Sequence, residues 1–284
     1  MNDHYNLYID YSPQKEWSGA PMWLEMSFGA IGGGLFLVSA FLNFNLGIVL
    51  GFLLVAAGKG IFLLVDLGKP ERFLKVLARP FKSWISFGSW AFMLFGILGL
   101  IYCLPLVIGL EIGAGILGVL KAITMLLAVL LITYDGFFLA ASKGIDAWNT
   151  SLLPILYGVS SLVAGTGIAM ALIEGAKENT LLRINALLLI TLVFLVFSYV
   201  NGLSKSTLGA RKSAEILTQD LKGIFVGGLV GAGVLLPLLL VGLATLGLIP
   251  ASATLVMVVA VLEVVGIFFL RFAILKAGVY APVI

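Results

Sequence analysis

Histidine and cysteine are almost absent from this sequence. Its 284 residues include one cysteine, Cys103, and one histidine, His4. A single thiol permits no internal disulfide and cannot hold an iron–sulphur cluster, which cysteine thiolates normally bind in sets of four. A membrane cytochrome b usually holds each haem between two histidines, so one histidine in the N-terminal tail argues against haem and against a multi-histidine metal site. We therefore expect no haem, no iron–sulphur cluster and no metal site in this chain.

Charge is also scarce. Only 11% of the residues are charged, whereas 61% are hydrophobic and the mean hydropathy is +1.15. A chain of this length cannot bury so much apolar surface in one soluble core, so it is predicted to be a polytopic protein of the lipid bilayer. The first twenty residues are polar and aromatic, so we expect no cleavable signal peptide. Nothing in the sequence predicts a nucleic-acid partner.

Apolar runs of about 20 residues predict an all-α bundle of eight transmembrane helices, forming one integral membrane domain over residues 1–284. The predicted spans are residues 22–43, 46–66, 85–109, 112–142, 152–174, 182–203, 223–247 and 251–275. With eight spans both termini lie on the same side, here called face A. Face A also receives the loops 67–84, 143–151 and 204–222, and face B receives the other turns.

Basic residues are distributed very unequally between the two faces. Thirteen of the 17 Lys and Arg residues fall on face A and two, Lys177 and Arg183, on face B. The positive-inside rule then predicts that face A is cytoplasmic and that the protein lies in the cytoplasmic membrane. All five tryptophans also lie at or near face A. The tryptophans are typical of an interfacial belt or of a docking surface for a peripheral subunit, and a basic docking surface could itself imitate the charge bias.

Ionisable residues within spans are costly and are therefore candidate functional residues. Glu25 is followed on its own helix side by glycines, so it should face a neighbouring helix. Lys59 and Asp66 are seven residues apart and share one stripe about 10 Å long. With the pair Tyr134 and Asp135, these side chains are expected to converge on one pocket near face A.

Each of these residues also has a purely structural interpretation. Asp66 could form a helix-end ion pair with Lys69 or Arg72, and Tyr134 could be a core tyrosine bonded to a carbonyl. Glu263, near mid-membrane, is a candidate proton carrier, or else a carboxylate neutralised by a lysine or hydrogen-bonded inside the bundle. Lys121 could be a buried ion-pair partner or could extend towards face B.

Small residues four apart, such as Gly29 with Gly33 and the series Gly223, Gly227 and Gly231, predict close helix packing. The loop 204–222 alternates charged and apolar residues. It is predicted to be either a short interfacial helix or a solvated linker.

Three motifs stand out in the sequence, and each extends across the end of a predicted span. The first is D-L-G-K-P-x-R-F from Asp66, followed by R-P-x-x-S-W-I-S-x-G from Arg79. The second is T-Y-D-G-F from Thr133, continuing through A-A-S-K to Trp148. The third is Glu263 with Arg271 and the Ala277-Gly278 pair. Together they cover nearly the whole chain and resemble the polysulphide reductase/NrfD family of integral membrane subunits.

This resemblance implies a quinone- or quinol-binding anchor of a respiratory oxidoreductase complex. The implied partners are a ferredoxin-like subunit with four iron–sulphur clusters and a molybdopterin catalytic subunit, and the implied ligand is a quinone, with menaquinone expected. In relatives a tyrosine in the fourth helix and a polar residue, often histidine, in the first contact the quinone. Tyr134 matches the tyrosine, and Glu25 stands where the histidine would be.

The candidate residues are assigned to three roles. Proton exchange is assigned to Glu25, Asp66 and Glu263. Quinone binding is assigned to Glu25, Lys59, Tyr134 and Asp135. Partner docking is assigned to Lys69, Arg72, Lys75, Arg79, Lys82, Trp84 and Trp148.

Two other functions also fit the composition. A secondary transporter or proton-conducting module would have its site near the midplane, formed by broken helices in two related halves. A purely structural anchor would have no quinone pocket. Both alternatives predict no quinone headgroup pocket near face A.

Overall fold

The computed structural model describes residues 12–17, 19–66, 78, 82–173 and 178–280, and over these residues the chain is an all-helical membrane bundle. Eight of its helices are long and apolar enough to cross a bilayer, which confirms the predicted fold class, and every span ends within two residues of the predicted position. The helices are α1 Ala20–Leu42, α2 Asn45–Asp66, α3 Trp84–Ile108, α4 Ala114–Ala140, α5 Leu152–Leu172, α6 Thr180–Ser204, α7 Leu208–Glu215, α8 Gly223–Thr245 and α9 Ala253–Lys276.

Local sequence signals set several helix ends. The hydroxyls of Ser83 and Ser252 accept hydrogen bonds from backbone N–H groups in the first turns of α3 and α9. These bonds satisfy donors that a helix start otherwise leaves unpaired. Asn43 and Gly109 end α1 and α3 in the left-handed conformation, with φ of 54° and 68°. Asparagine and glycine adopt this conformation more readily than other residues.

Helix α1 occupies the centre of the bundle, where it packs against α2, α4, α5 and α9. Its closest approach is to α5, where Gly34 meets the backbone of Ser161 and Gly165. A side chain at Gly34 would overlap the Ser161 carbonyl oxygen, so glycine is required there. Because lipid gives helices no hydrophobic reason to associate, such backbone contacts provide the van der Waals packing that holds the bundle together.

Helix α8 packs through different glycines from those predicted. Gly223 and Gly227 have open space around them in the described part of the chain, whereas Gly228 packs on Phe269 and Gly233 packs on Gly266. The stretch Gly223–Leu235 is π-helical. In a π-helix the hydrogen bonds join residues five apart, so glycines spaced by five align on one side. The prediction for α8 was therefore wrong because it assumed α-helical geometry.

The loop between α6 and α8 contains the short helix α7, which confirms the helical alternative. Its inner side is buried at Ala210, Ser213 and Ala214 and packs on the same apolar core as α5, α6 and α9. Thr207 caps α7 by accepting from the Ala210 N–H.

Trp148 lies inside the bundle, and its assignment to a docking surface is corrected. It is 1% exposed, its indole N–H donates to the Ile274 carbonyl at 2.9 Å, and its ring packs against Gly278. The sequence places Trp148 in a loop, but that loop folds against the C-terminal end of α9. Such a residue gives no surface to a partner.

Lys121 reaches towards face B. Its ammonium group donates a hydrogen bond to the side-chain oxygen of Asn43, the residue that ends α1 on that side. No carboxylate of the described residues forms an ion pair with Lys121, so Lys121 extends towards face B and is not a buried ion-pair partner.

Candidate functional site

A cavity of about 330 Å³ opens between the face-A ends of α1, α2, α3 and α4, and it is called here the face-A cavity. Its walls are mainly apolar, and one end is polar. The apolar residues are Trp17, Met22, Met26, Leu63, Ile85, Phe92 and Phe138, and the polar ones are Glu25, Lys59, Asp66, Ser89, Tyr134 and Asp135. The residues that the sequence expected to converge near face A therefore do converge.

Three of these side chains form a buried ionic network, called here the buried triad: Glu25, Lys59 and Asp135. The Lys59 ammonium donates to Glu25 Oε1 at 3.1 Å and to Asp135 Oδ1 at 3.2 Å. Glu25 Oε2 is 3.0 Å from the same nitrogen but accepts no hydrogen bond from any described residue. The three residues are 8%, 3% and 3% exposed, in the order given. Charges this deeply buried are tolerated when they are paired and hydrogen-bonded.

Helix geometry brings Lys59 to this position. It ends a π-helical segment, Leu54–Lys59, inside α2, and α-helix resumes at Gly60. Its aliphatic stem crosses α1 at Gly29, where a Cβ atom would lie only 2.8 Å from the lysine Cδ. Gly29 thus leaves the space through which Lys59 reaches Glu25, and π-helical turns of this kind are frequent at functional sites.

Tyr134 lines the face-A cavity, but its hydroxyl proton already has an acceptor. The hydroxyl donates to the backbone carbonyl of Trp84 at 2.8 Å. Its ring lies against Gly88 of α3, where any side chain would overlap it, and is stacked near Phe138 with centroids 6.1 Å apart. The hydrogen bond from Tyr134 to a carbonyl was expected if Tyr134 is a structural core residue. Tyr134 also borders the cavity, so it can serve both purposes. A tyrosine oxygen that donates once can still accept.

Asp66 lies at the mouth of the cavity. Asp66, the last residue of α2, is exposed and borders the cavity, so it shares that space with Lys59 as expected. The predicted docking residues Lys69, Arg72, Lys75 and Arg79 lie outside the described residues, as does the proposed partner of Asp66. Lys82 and Trp84 are exposed, and the Trp84 ring is stacked on Phe137.

Glu263 does not border the face-A cavity. It is 2% exposed, and its Oε2 accepts from the side-chain amide of Asn185 at 3.3 Å, while Oε1 has no partner among the described residues. Of the two structural interpretations, the observed one is therefore a hydrogen bond inside the bundle, and no described lysine pairs with Glu263.

Two turns after Glu263 on α9, the Arg271 guanidinium is fully buried, lies over the Tyr157 ring at 3.6 Å and bonds to Ser161.

Sequence reasoning missed several residues that shape the cavity. Gly88 fixes the place of Tyr134, and Phe92 and Phe138 supply aromatic walls. Gly88 and Ser89 are small residues in the first turns of an otherwise bulky helix, and this was the available signal for a close contact. The stacking of Arg271 on Tyr157 left no such signal, because the two residues are 114 positions apart.

Comparison with known proteins gives concordant matches. The family model described as "Polysulphide reductase, NrfD" matches residues 31–282. One of the chains of polysulfide reductase from Wolinella succinogenes is 29% identical over a match of 255 residues, and the match covers 78% of this protein and 78% of that relative. Protein NrfD of Escherichia coli is 31% identical over 173 residues, covering 56% of this protein and about half, 52%, of that relative. Lys59, Asp66, Tyr134 and Asp135 lie within the family match, whereas Glu25 lies six residues before it.

Proposed function

This chain belongs to the polysulphide reductase/NrfD family, and on that premise we propose that it anchors a respiratory oxidoreductase complex in the cytoplasmic membrane and binds a quinone or quinol in the face-A cavity. One observation carries the proposal: a cavity with apolar and aromatic walls has the buried triad at its polar end, and all three residues of the triad line it.

The cavity suits a quinone in size and in chemistry. About 330 Å³ is within the range of roughly 300–1,000 Å³ typical of small-molecule sites, which combine apolar walls with a few polar groups. When bound, a quinone supplies exchange of two electrons and two protons. Met26, Phe92 and Phe138 would cover an apolar ring and exclude water, while the buried triad would meet its oxygen atoms. We expect menaquinone.

The residues at the polar end have complementary hydrogen-bonding capacity. The Glu25 carboxylate lines the cavity and can accept from a quinol hydroxyl, and so can the Tyr134 oxygen, whose own proton is given to Trp84. Lys59 has three N–H donors, of which Glu25 and Asp135 occupy two, so one remains for a carbonyl oxygen. The polar end therefore offers donors and acceptors for both redox forms.

The triad also explains how Glu25 could exchange a proton. If Glu25 takes up a proton, Lys59 keeps its 3.2 Å pair with Asp135, so no buried cation is left without a counter-charge. An isolated pair of Lys59 and Glu25 would lack this property, because an unpaired buried charge is very unfavourable. Glu25 is accordingly assigned proton exchange with bound quinol. Asp66 lies at the cavity mouth, and Glu263 would carry protons only within the bundle.

The partner subunits belong to the same proposal. A ferredoxin-like iron–sulphur subunit and a molybdopterin catalytic subunit would dock on face A, through the basic loop 67–82 and the exposed Trp84. The Trp84 carbonyl accepts the Tyr134 hydroxyl, so this part of the docking surface directly adjoins the cavity. The cavity and its polar residues lie at one membrane face, whereas a transporter would be expected to have its site at the midplane.

The test is quinol binding by the purified complex with Glu25→Gln and with Tyr134→Phe. A hydrogen bond to a charged group contributes about 1.5–3 kcal/mol, so Glu25→Gln should weaken binding roughly 10- to 150-fold. Tyr134→Phe should weaken it less, because it removes a neutral acceptor. Glu263→Gln is the matched control, since Glu263 is an equally buried carboxylate outside the cavity. Unchanged quinol affinity in both cavity variants, with the complex intact, would contradict the proposal and favour a purely structural anchor.

A further inference from the structure

A second and larger cavity, of about 620 Å³, lies on the lipid-facing side of the bundle between α1, α4, α5 and α6. It is called here the lateral groove. Its rim includes side chains exposed to the bilayer, among them Phe41, Val129 and Ile184. The groove is therefore accessible to molecules dissolved in the membrane.

The walls of the lateral groove are apolar along its length. Thr133 and Thr166 are its two hydroxyl residues, and each hydroxyl donates to a carbonyl of its own helix. A molecule in the groove is thus contacted by hydrocarbon and not by free polar groups. This chemistry suits an aliphatic chain.

The dimensions favour one extended chain. Along α5 the groove runs from Pro154, near face A, to Thr166, which is about 18 Å at 1.5 Å per residue, and it continues to Leu42 of α1 and Leu181 of α6 near face B. A slot of this length suits an extended acyl chain. A helix about 10 Å across and 18 Å long would fill roughly 1,400 Å³, more than twice the volume of the groove.

Two cations stand at the face-B end of the lateral groove. Lys121 is one helical turn before the groove residue Met125, and its ammonium group donates to the neutral Asn43 side chain, without an ion pair among the described residues. Arg183 is exposed next to the groove residue Ile184 and forms no ion pair with a described residue. Positive charge at the end of an aliphatic slot is complementary to an anionic phosphate headgroup.

We infer that the lateral groove is a binding site for an anionic phospholipid, with one acyl chain between α1, α4, α5 and α6 and the phosphate near Lys121 and Arg183. Each cation near a membrane surface favours an anionic lipid by about fivefold. The site is separate from the face-A cavity and does not depend on quinone binding.

The test is lipid binding to the purified full-length chain, measured by native mass spectrometry with equal amounts of phosphatidylglycerol and phosphatidylcholine. The wild type should retain one phosphatidylglycerol in clear preference. Lys121→Gln and Arg183→Gln should each lower that preference about fivefold. Lys143→Gln, at an exposed lysine on face A, is the charge control and should not change it.

Filling the groove tests the acyl-chain part. Val129→Trp should reduce retention of both lipids, and Ile184→Trp on the opposite wall provides a second variant in case the first fails to fold. Val119→Trp, at an exposed position of the same helix outside the groove, is the control. Equal retention of the two lipids by the wild type, or full retention in both groove variants, would overturn the inference. So would a groove variant that loses bound quinone or self-association instead of phospholipid.

Discussion

Replacing Lys59 tests the buried triad directly. Lys59→Met keeps most of the length of the side chain and removes its charge. It leaves Glu25 and Asp135 without the lysine between them, at a site where the lysine side chain is 4% exposed. In water such a change would matter little. In the bundle interior no solvent replaces the lost ammonium, so the two carboxylates lose both their hydrogen-bond donor and their counter-charge.

The magnitude follows from the burial of all three side chains. Removing one partner of a buried ion pair costs about 3–5 kcal/mol, which corresponds to roughly 150- to 5,000-fold in the folded-to-unfolded ratio. The effect of a second substitution, Asp135→Asn, on the free energy of unfolding should then have opposite signs in the wild type and in Lys59→Met. It should destabilise the wild type, because it removes a counter-charge of Lys59, but stabilise Lys59→Met, because it removes a buried like charge.

The measurement is the free energy of unfolding in bicelles for the four members of this cycle. Lys212→Met is the control, since Lys212 forms an exposed pair with Glu215 at 2.9 Å and exposed pairs contribute little. If Lys59→Met were as stable as Lys212→Met, or if Asp135→Asn destabilised both backgrounds equally, the triad would not be an ionic network.

Three further predictions concern the cavity and the topology. Gly88→Ala should force the Tyr134 ring away from Trp84, costing about 1–3 kcal/mol of stability and weakening quinol binding, whereas Gly96→Ala should do neither because a Cβ at Gly96 would meet no atom of another described helix within 4 Å. Equal effects of the two glycine variants on quinol titration would refute this account. Asp66→Asn should weaken quinol binding less than Glu25→Gln, because Asp66 borders the cavity without joining the triad; the reverse order would exchange their roles. A reporter fused after Ile284 should be active only if it is a type that works in the cytoplasm, and activity confined to an exported type would favour docking as the reason for the basic loops.

The membrane spans could be predicted closely because their cause is local. A bilayer about 30 Å thick requires about 20 apolar residues per helix, and that requirement is visible in the sequence. Hydropathy does not distinguish α- from π-helix, so the segments Leu54–Lys59 and Gly223–Leu235 were not predicted. The wrong glycine pattern in α8 follows directly from this.

The polar end of the cavity was predictable for a similar reason. Burying charge in a membrane requires partners, so Glu25, Lys59 and Asp135 had to find one another or water. What the sequence could not reveal was the exact pairing, in which one lysine serves two carboxylates. Trp148 failed as a docking residue because its burial depends on how a loop folds against α9, and loop composition does not encode that.

Trp84 connects the two parts of the proposed function within a single residue. Its ring is 43% exposed at face A and stacked on Phe137, while its backbone carbonyl accepts the Tyr134 hydroxyl at the cavity wall. Because Ser83 caps α3 immediately before Trp84, the carbonyl is held by the first turn of a helix and not by a loose loop. A partner resting on the Trp84 ring would therefore act on a rigid element, one hydrogen bond away from the Tyr134 oxygen. The proposed docking surface at Trp84 would therefore adjoin the cavity, although Trp84 and Tyr134 are 50 residues apart in the sequence.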